Sequence, residues 1–107
     1  MMSKKDIVDY IHSLGRVEDE INPDRQVILF RSNNILIAVL ELKSPLRLSL
    51  RSEPGLSEVL RNSYETVMPG VNLNSKEWNT IVLTGQVGDE ELKSLIRHSF
   101  QFSETDI

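Results

Sequence analysis

The residue types that most often carry catalysis or bind transition metals are sparse in this sequence. Its two histidines, His12 and His98, lie far apart, and neither has a second metal ligand four residues away, the spacing by which one helix face holds zinc. There is no cysteine, which excludes thiolate nucleophiles, disulfides and iron–sulfur ligands. We therefore interpret both histidines as structural or surface residues.

Carboxylates are more abundant, and they form two short clusters of the oxygen ligands that Mg²⁺ and Ca²⁺ prefer. Glu18-Asp19-Glu20 lacks the spacing of an EF-hand loop, and Asp89-Glu90-Glu91 is explained by the start of a helix, where acidic residues are favourable. Gly85-Gln86-Val87-Gly88 is not followed by the Lys-Ser/Thr pair of a phosphate-binding loop, and no Gly-x-Ser-x-Gly motif is present. The sequence therefore predicts no enzyme, no cofactor and no metal site.

Length and composition predict one domain. The chain has 107 residues, of which 39% are apolar and 26% are charged, within the range of globular proteins. The longest apolar run, Ile35–Leu40, is far shorter than the about 20 residues of a membrane span, and the N-terminus lacks the apolar core of a signal peptide. We expect a single cytoplasmic domain over residues 1–107 without membrane contact, in which residues 103–107 form a disordered tail.

Charge is distributed unevenly along the chain. The formal net charge is −4, which argues weakly against nucleic-acid binding, because such proteins usually carry a basic surface. Between Arg25 and Arg51, however, there are five basic residues and one acidic residue, Glu41. One face of the molecule is therefore either locally positive or simply a solvated surface.

Hydrophobic periodicity predicts three helices and four or five strands. The helices are expected over residues 3–14, 52–64 and 89–100, with Ser3, Ser52 and Asp89 as caps. Strands are expected over residues 26–31, 35–42, 46–51 and 78–83, with a short extended piece at 71–75 and loops elsewhere, including residues 16–24. Ser32-Asn33-Asn34 predicts a tight turn, since Asn tolerates positive φ.

The order α-β-β-β-α-β(β)-α predicts an α+β fold, in which an antiparallel sheet packs against helices. The strand over residues 46–51 alternates cleanly, so Leu46, Leu48 and Leu50 are expected to face the core. Arg47 and Arg51 are then expected to reach solvent from the opposite face.

One stretch is distinctive: Met-Pro-Gly-Val-Asn-Leu-Asn-Ser-Lys-Glu-Trp-Asn-Thr-Ile at residues 68–81, which follows the Leu-Arg-Leu-Ser-Leu-Arg strand and an amphipathic helix. It precedes a closing helix with the acidic start Asp89-Glu90-Glu91. Together these segments resemble the MmcQ/YjbR family of small bacterial proteins, over residues 27–102 and most strongly over 46–100. The resemblance implies an α+β fold with similarities to secretion chaperones and to a frataxin-like sheet.

The resemblance also implies a function, because members of this family are commonly labelled DNA-binding proteins. Carried over by position, Arg47, Arg51, Lys76, Trp78 and Asn79 would form the contact surface, with cations on phosphates and the indole stacked on a base. The family often has Lys and His where this sequence has Ser75 and Glu77. Residues 21–24 likewise replace an aromatic-Gly segment of the family.

Two alternatives to this surface remain open. Trp78 is equally typical of a sheet residue that packs on a helix, with Asn72, Asn74 and Asn79 serving turns and strand edges. The second functional hypothesis is a protein-interaction or chaperone-like adaptor that presents an apolar patch from the exposed side of the strand at residues 35–42. An uninterrupted positive face favours DNA, whereas interruption by Glu41 or Glu77 favours the adaptor.

Overall fold

The computed structural model describes residues 1–70 and 73–104, which fold as α-β-β-β-β-α-β-β-α. The helices are α1 (Lys4–Ser13), α2 (Pro54–Ser63) and α3 (Asp89–Glu104). The strands are β1 (Glu18–Asn22), β2 (Val27–Ser32), β3 (Ile35–Glu41), β4 (Arg47–Arg51), β5 (Val67–Pro69) and β6 (Trp78–Val82). They form one antiparallel sheet in the order β1-β2-β3-β4-β6-β5, and the predicted α+β class is confirmed.

Local signals in the sequence account for several elements. Ser3 and Asp6 form a reciprocal capping box, in which each side chain accepts a hydrogen bond from the other residue's backbone N–H, at 3.1 and 3.0 Å. Asn33 and Asn34 both have positive φ, 53° and 65°, so the tight turn between β2 and β3 is confirmed. Pro54 begins α2 at a position where its missing N–H has no partner within the helix.

The helices cover one face of the sheet, which we call the inner face. Leu48 and Leu50 on β4 and Phe30 on β2 are buried there, as the strand alternation predicts. The helices contribute the apolar stripes expected of them, with Ile7 and Ile11 from α1 and with Leu92, Leu95, Ile96 and Phe100 from α3. This single core places the apolar stripes of the helices on the inner face, and the centre of the opposite face has no helix over it.

A hydroxyl group from α3 joins β3 to β4 where their ladder ends. The Ser99 hydroxyl donates to the Ile37 carbonyl at 2.6 Å and accepts from the Arg51 backbone N–H at 2.9 Å. The register between β2 and β3 shifts at Phe30 and Arg31, close to this point. Ser99 therefore satisfies two backbone groups that the irregular strand leaves without a ladder partner.

The prediction of a loop over residues 16–24 is wrong, because Glu18–Asn22 forms the edge strand β1. Its composition has little strand propensity, and pairing with β2 decides its conformation. Val67–Pro69, where the sequence predicts a loop, forms β5. Ser52 does not cap α2, since its hydroxyl bonds Ser57 at 2.5 Å instead.

Of the extended piece predicted at 71–75, Val71 and Asn72 lie outside the described residues, and Leu73, Asn74 and Ser75 form no strand.

The C-terminal helix is longer than predicted. Ser103 was expected in a disordered tail, but it is buried in the last turn of α3, where its hydroxyl accepts a hydrogen bond from the Arg51 side chain at 3.2 Å. The tail prediction is therefore wrong for residues 103 and 104, while residues 105–107 lie outside the described part of the chain. Within that part, no helix combines the length and the apolar character needed to span a bilayer.

Candidate functional site: the outer face of the sheet

The face opposite the helices, which we call the outer face, is built from one row of cross-strand neighbours. The registers align Leu29 on β2 with Val39 on β3, Val39 with Ser49 on β4, and Ser49 with Thr80 on β6. Neighbours in register point to the same side of a sheet, and each of these residues alternates with one that faces the core. The row therefore runs across the centre of the outer face.

A groove of about 250 Å³ lies over this row, and we call it the outer groove. Its apolar walls are Val27, Leu29, Leu36, Val39 and Leu73. Its polar lining is Ser49 and Thr80, whose hydroxyl groups bond each other at 2.7 Å, together with the charged residues Arg25 and Glu41. The outer groove is thus mainly apolar, and its two hydroxyl groups are hydrogen-bonded to each other.

The apolar walls are half-exposed, which is unusual for the solvent side of a sheet. Val27, Leu29, Leu36 and Val39 all have intermediate exposure. An antiparallel sheet that packs helices on one face normally presents polar side chains on the other. These neighbouring apolar side chains make the outer groove a candidate contact surface.

Arg51 does not reach solvent, so that prediction is wrong. Its side chain forms an ion pair with Glu77 at 2.9 Å, and its guanidinium carbon lies 5.2 Å from the centre of the Phe102 ring. With the hydrogen bond to Ser103, these contacts leave Arg51 only 6% exposed. The reason is the greater length of α3, whose last turn covers this end of β4.

Trp78 and Asn79 are buried as well. Trp78 is the strand neighbour of Arg51 and is buried to a similar extent. The Asn79 amide nitrogen donates to the Ser57 carbonyl at 3.0 Å, and its side-chain oxygen accepts from Arg61. Neither residue presents a surface to a nucleotide base, because Trp78 is only 6% exposed and Asn79 only 3%.

Arg47 and Lys76 are the two predicted contact residues that retain exposure, but they lie at opposite ends of β4. Arg47 begins the strand and is half-buried opposite Glu41, whereas Lys76 is exposed just before β6, near the strand's other end. The Glu77 carboxylate forms an ion pair with Arg51. The five predicted residues therefore do not converge on one positive surface, and acidic residues interrupt it at both ends.

Arg47 shares its end of the sheet with two further cations, Arg25 just before β2 and Lys43 just after β3, and we call these three residues the cationic rim. The Leu42 backbone N–H donates to the Gln26 carbonyl at 2.8 Å, which holds the turn bearing Arg25 beside Lys43. Arg47 lies next to them, opposite Glu41. Among the described residues, no carboxylate comes within ion-pair distance of any of the three.

The outer groove was only partly foreseen from the sequence. The uninterrupted apolar run at residues 35–40 signals a strand with two apolar faces, and the exposed side of that strand was named as a candidate patch. Leu29 and Leu73 were missed. The signal for Leu29 was the equally apolar strand β2, whereas the position of Leu73 depends on a loop whose path no local pattern specifies.

Both histidines contact neighbouring side chains. The Nε2 atom of His12 lies 2.8 Å from the Asp19 carboxylate on β1, and the His98 ring stacks on Phe102 with 6.0 Å between ring centres. Within the described part of the chain, no three His, Asp or Glu side chains come together as a metal-ion cluster.

Comparison with known proteins identifies related sequences that align over most of this chain. The model of the YjbR family matches residues 12–102. The chain is 26% identical to the uncharacterized protein YjbR of Escherichia coli strain K12, over 94% of this chain and 86% of that protein.

Solved structures share the fold. The crystal structure of the Deinococcus radiodurans protein DR2400 superposes with a TM-score of 0.88 and 30% identity, covering 95% of this chain and 78% of that one. A crystal structure of a Pseudomonas syringae protein gives a TM-score of 0.82 at 23% identity, covering 95% of this chain and 99% of the other. The same sheet and helices therefore recur in proteins of different bacteria.

Proposed function

The chain belongs to the YjbR family, and from the geometry of its sheet we propose that it is a protein-interaction module, without catalytic activity, whose outer groove binds an apolar segment of another protein. The observation that carries this proposal is the apolar lining of the groove on the side of the sheet that helices do not cover. Binding there would remove Leu29, Leu36 and Val39 from water, at a gain of about 25 cal/mol for each Å² buried.

Shape and charge both favour a segment of a different protein as the occupant. A second copy of this chain would present the same concave surface, and two concave surfaces leave the volume between them unfilled. The charged residues at the groove, Arg25 and Glu41, have opposite signs, so the groove itself has no net attraction for a polyanion. An extended or helical segment with apolar side chains fits both conditions.

Peptide selection tests the proposal. A library of random peptides displayed on phage is selected on the immobilised chain, and an enriched peptide is synthesised with a fluorescent label for anisotropy titration. We expect enriched peptides to be apolar, and Val39→Glu to weaken binding by at least about tenfold, because a carboxylate would have to be desolvated in the groove. Leu36→Lys, at the groove's other wall, should weaken it similarly.

The matched control is Val59→Glu, which places the same charge on an apolar side chain that is already 57% exposed on α2. It should leave binding unchanged. Circular dichroism and urea denaturation confirm that each variant is folded. The proposal fails if no peptide is enriched, or if Val59→Glu weakens binding as much as the two groove variants do.

DNA binding is the second candidate, and the observation that favours it is the cationic rim. Its three cations have no carboxylate at ion-pair distance among the described residues, so they are available to phosphate oxygens. This surface retains Arg47 from the predicted set and replaces the buried Arg51, Trp78 and Asn79 with Arg25 and Lys43. Binding through it would depend on charge and show little sequence preference.

Titration of a labelled DNA duplex at several salt concentrations tests this candidate. Binding should weaken as salt rises, and Arg47→Gln should reduce the slope of log K against log salt by about 1, because one phosphate contact is lost. Lys4→Gln is the control, since it removes the same charge from the exposed surface of α1. Undetectable binding at the lowest salt, or an equal effect of both variants, removes DNA as a candidate.

A further inference from the structure

The sheet has an open edge at β1, which adjoins the outer groove but contributes no residue to its lining. β1 is the first strand in the sheet order, and in the described residues it pairs only with β2. The opposite edge, β5, is three residues long and ends in Pro69, which has no N–H to donate. β1 has five residues, so it is the longer edge and the better template for an added strand.

The side chains of β1 differ on its two faces. Glu18 and Glu20 point to the outer face, since Glu20 is the strand neighbour of Leu29. Asp19 and Ile21 point to the inner face, where Ile21 lies beside the buried Ile28 and yet is 62% exposed. The helix layer therefore ends before the sheet does, and it leaves one large apolar side chain uncovered next to the open edge.

One ion pair and one histidine contact offset the carboxylates of this edge only in part. Arg31 forms an ion pair with Glu20 at 2.9 Å, and His12 lies 2.8 Å from Asp19. No cation of the described residues comes within ion-pair distance of Glu18. The edge therefore keeps a net negative charge at neutral pH.

We propose that β1 accepts an extended cationic segment of a partner protein as an added antiparallel strand. Backbone hydrogen bonds would hold the segment, and its side chains would meet those of β1 in register. The residue opposite Ile21 is apolar, the next one, opposite Glu20, is basic, and the one two further on, opposite Glu18, is basic again. Read from its N-terminus, the partner carries the pattern apolar–basic–any–basic.

Charge also disfavours the pairing of β1 with β1 of a second copy of the chain. Antiparallel pairing of two β1 strands over all five residues is centred on Glu20 and places it opposite its own copy. Like charges directly opposite each other destabilise a strand pair. The same carboxylates that oppose self-association therefore select a basic partner.

A labelled synthetic peptide with the sequence Thr-Thr-Val-Lys-Thr-Lys-Thr is the probe, titrated against the full chain by fluorescence anisotropy. We expect saturable binding, and the double variant Glu18→Gln, Glu20→Gln should weaken it by about fivefold through the loss of two cross-strand charge pairs. Glu58→Gln, on the exposed surface of α2, is the matched control and should have no effect. Val39→Glu should also have no effect, which separates this site from the outer groove.

A second probe distinguishes strand addition from simple attraction between charges. The same peptide, N-methylated at the amides that face β1, keeps its charges but cannot donate the backbone hydrogen bonds, so its binding should be lost. Amide exchange in β1 should slow when the unmethylated peptide binds. The proposal is overturned if the methylated peptide binds equally well, if neither peptide binds, or if the chain alone forms dimers that the peptide does not dissociate.

Discussion

Arg47 and Arg51 lie at the two ends of β4, and they differ in burial and in their side-chain partners. Both alternate with inward-facing leucines, so strand geometry gives them the same orientation. Arg47 is half-buried and opposite Glu41, without an ion pair among the described residues. Arg51 is buried among Glu77, Ser103 and Phe102.

The difference between the two arginines comes from what lies beyond the sheet. The last turn of α3 extends over the Arg51 end of β4 and supplies Phe102 and Ser103, whereas Arg47 directly follows the connection at residues 42–46. One end of the sheet is therefore closed by a polar and aromatic cluster, and the other end remains available for binding. Strand alternation alone cannot distinguish the two, because it describes side-chain direction and not what covers it.

Removing the two arginines one at a time is the strongest test of this comparison. Arg51→Ala should lower the free energy of unfolding by on the order of 3 kcal/mol, because it removes one partner of a largely buried ion pair together with its packing. Arg47→Ala should change it by less than about 0.5 kcal/mol, as is usual for a surface substitution. Urea denaturation of the two variants measures both values, and equal losses would show that the two ends do not differ.

The features that could be predicted from the sequence are local ones. The capping box of α1, the Asn33-Asn34 turn and the inward-facing leucines of β4 depend on residues within a few positions of one another, so short-range patterns were sufficient. The buried state of Arg51 depends on Ser103, 52 residues further along the chain. No local pattern reports such a contact.

The same reasoning explains what was missed at the two proposed binding surfaces. β1 is a strand because β2 pairs with it, although Glu18, Asp19 and Glu20 favour a loop. The apolar run of β3 predicted a strand with apolar side chains on both faces, but which face the helices would cover was not encoded in the run itself. Arg51, Trp78 and Asn79 were assigned from family positions without knowledge of burial, and the structure places all three side chains in the interior.

The Ser99 hydroxyl offers a smaller test of how α3 closes its end of the sheet. Ser99→Ala removes the partner of the Ile37 carbonyl and of the Arg51 N–H, and we expect a loss of about 1 to 3 kcal/mol in the free energy of unfolding, since both groups are buried. Ser94→Ala is the control, because that serine is exposed on the same helix. If the two variants are equally stable, the hydroxyl bridge contributes nothing to the closed end.

The smallest effect is expected for Tyr64, whose phenol donates a hydrogen bond to the Glu91 carboxylate at the start of α3. A hydrogen bond to the Glu91 carboxylate raises the pKa of the Tyr64 phenol above its ordinary value, with burial and the negative charge of Glu91 acting in the same direction. Because the folded-state pKa is the higher one, the contact stabilises the fold below the ordinary phenol pKa. That contribution is lost as the pH rises through the folded value.

Absorbance titration of tyrosinate measures this pKa, and the chain has only one other tyrosine, Tyr10. Glu91→Gln should lower the pKa of Tyr64 toward its ordinary value, since the amide carries no charge and accepts a weaker hydrogen bond. Tyr10→Phe identifies the remaining transition as that of Tyr64. A titration curve that Glu91→Gln leaves unchanged would contradict the contact between Tyr64 and Glu91.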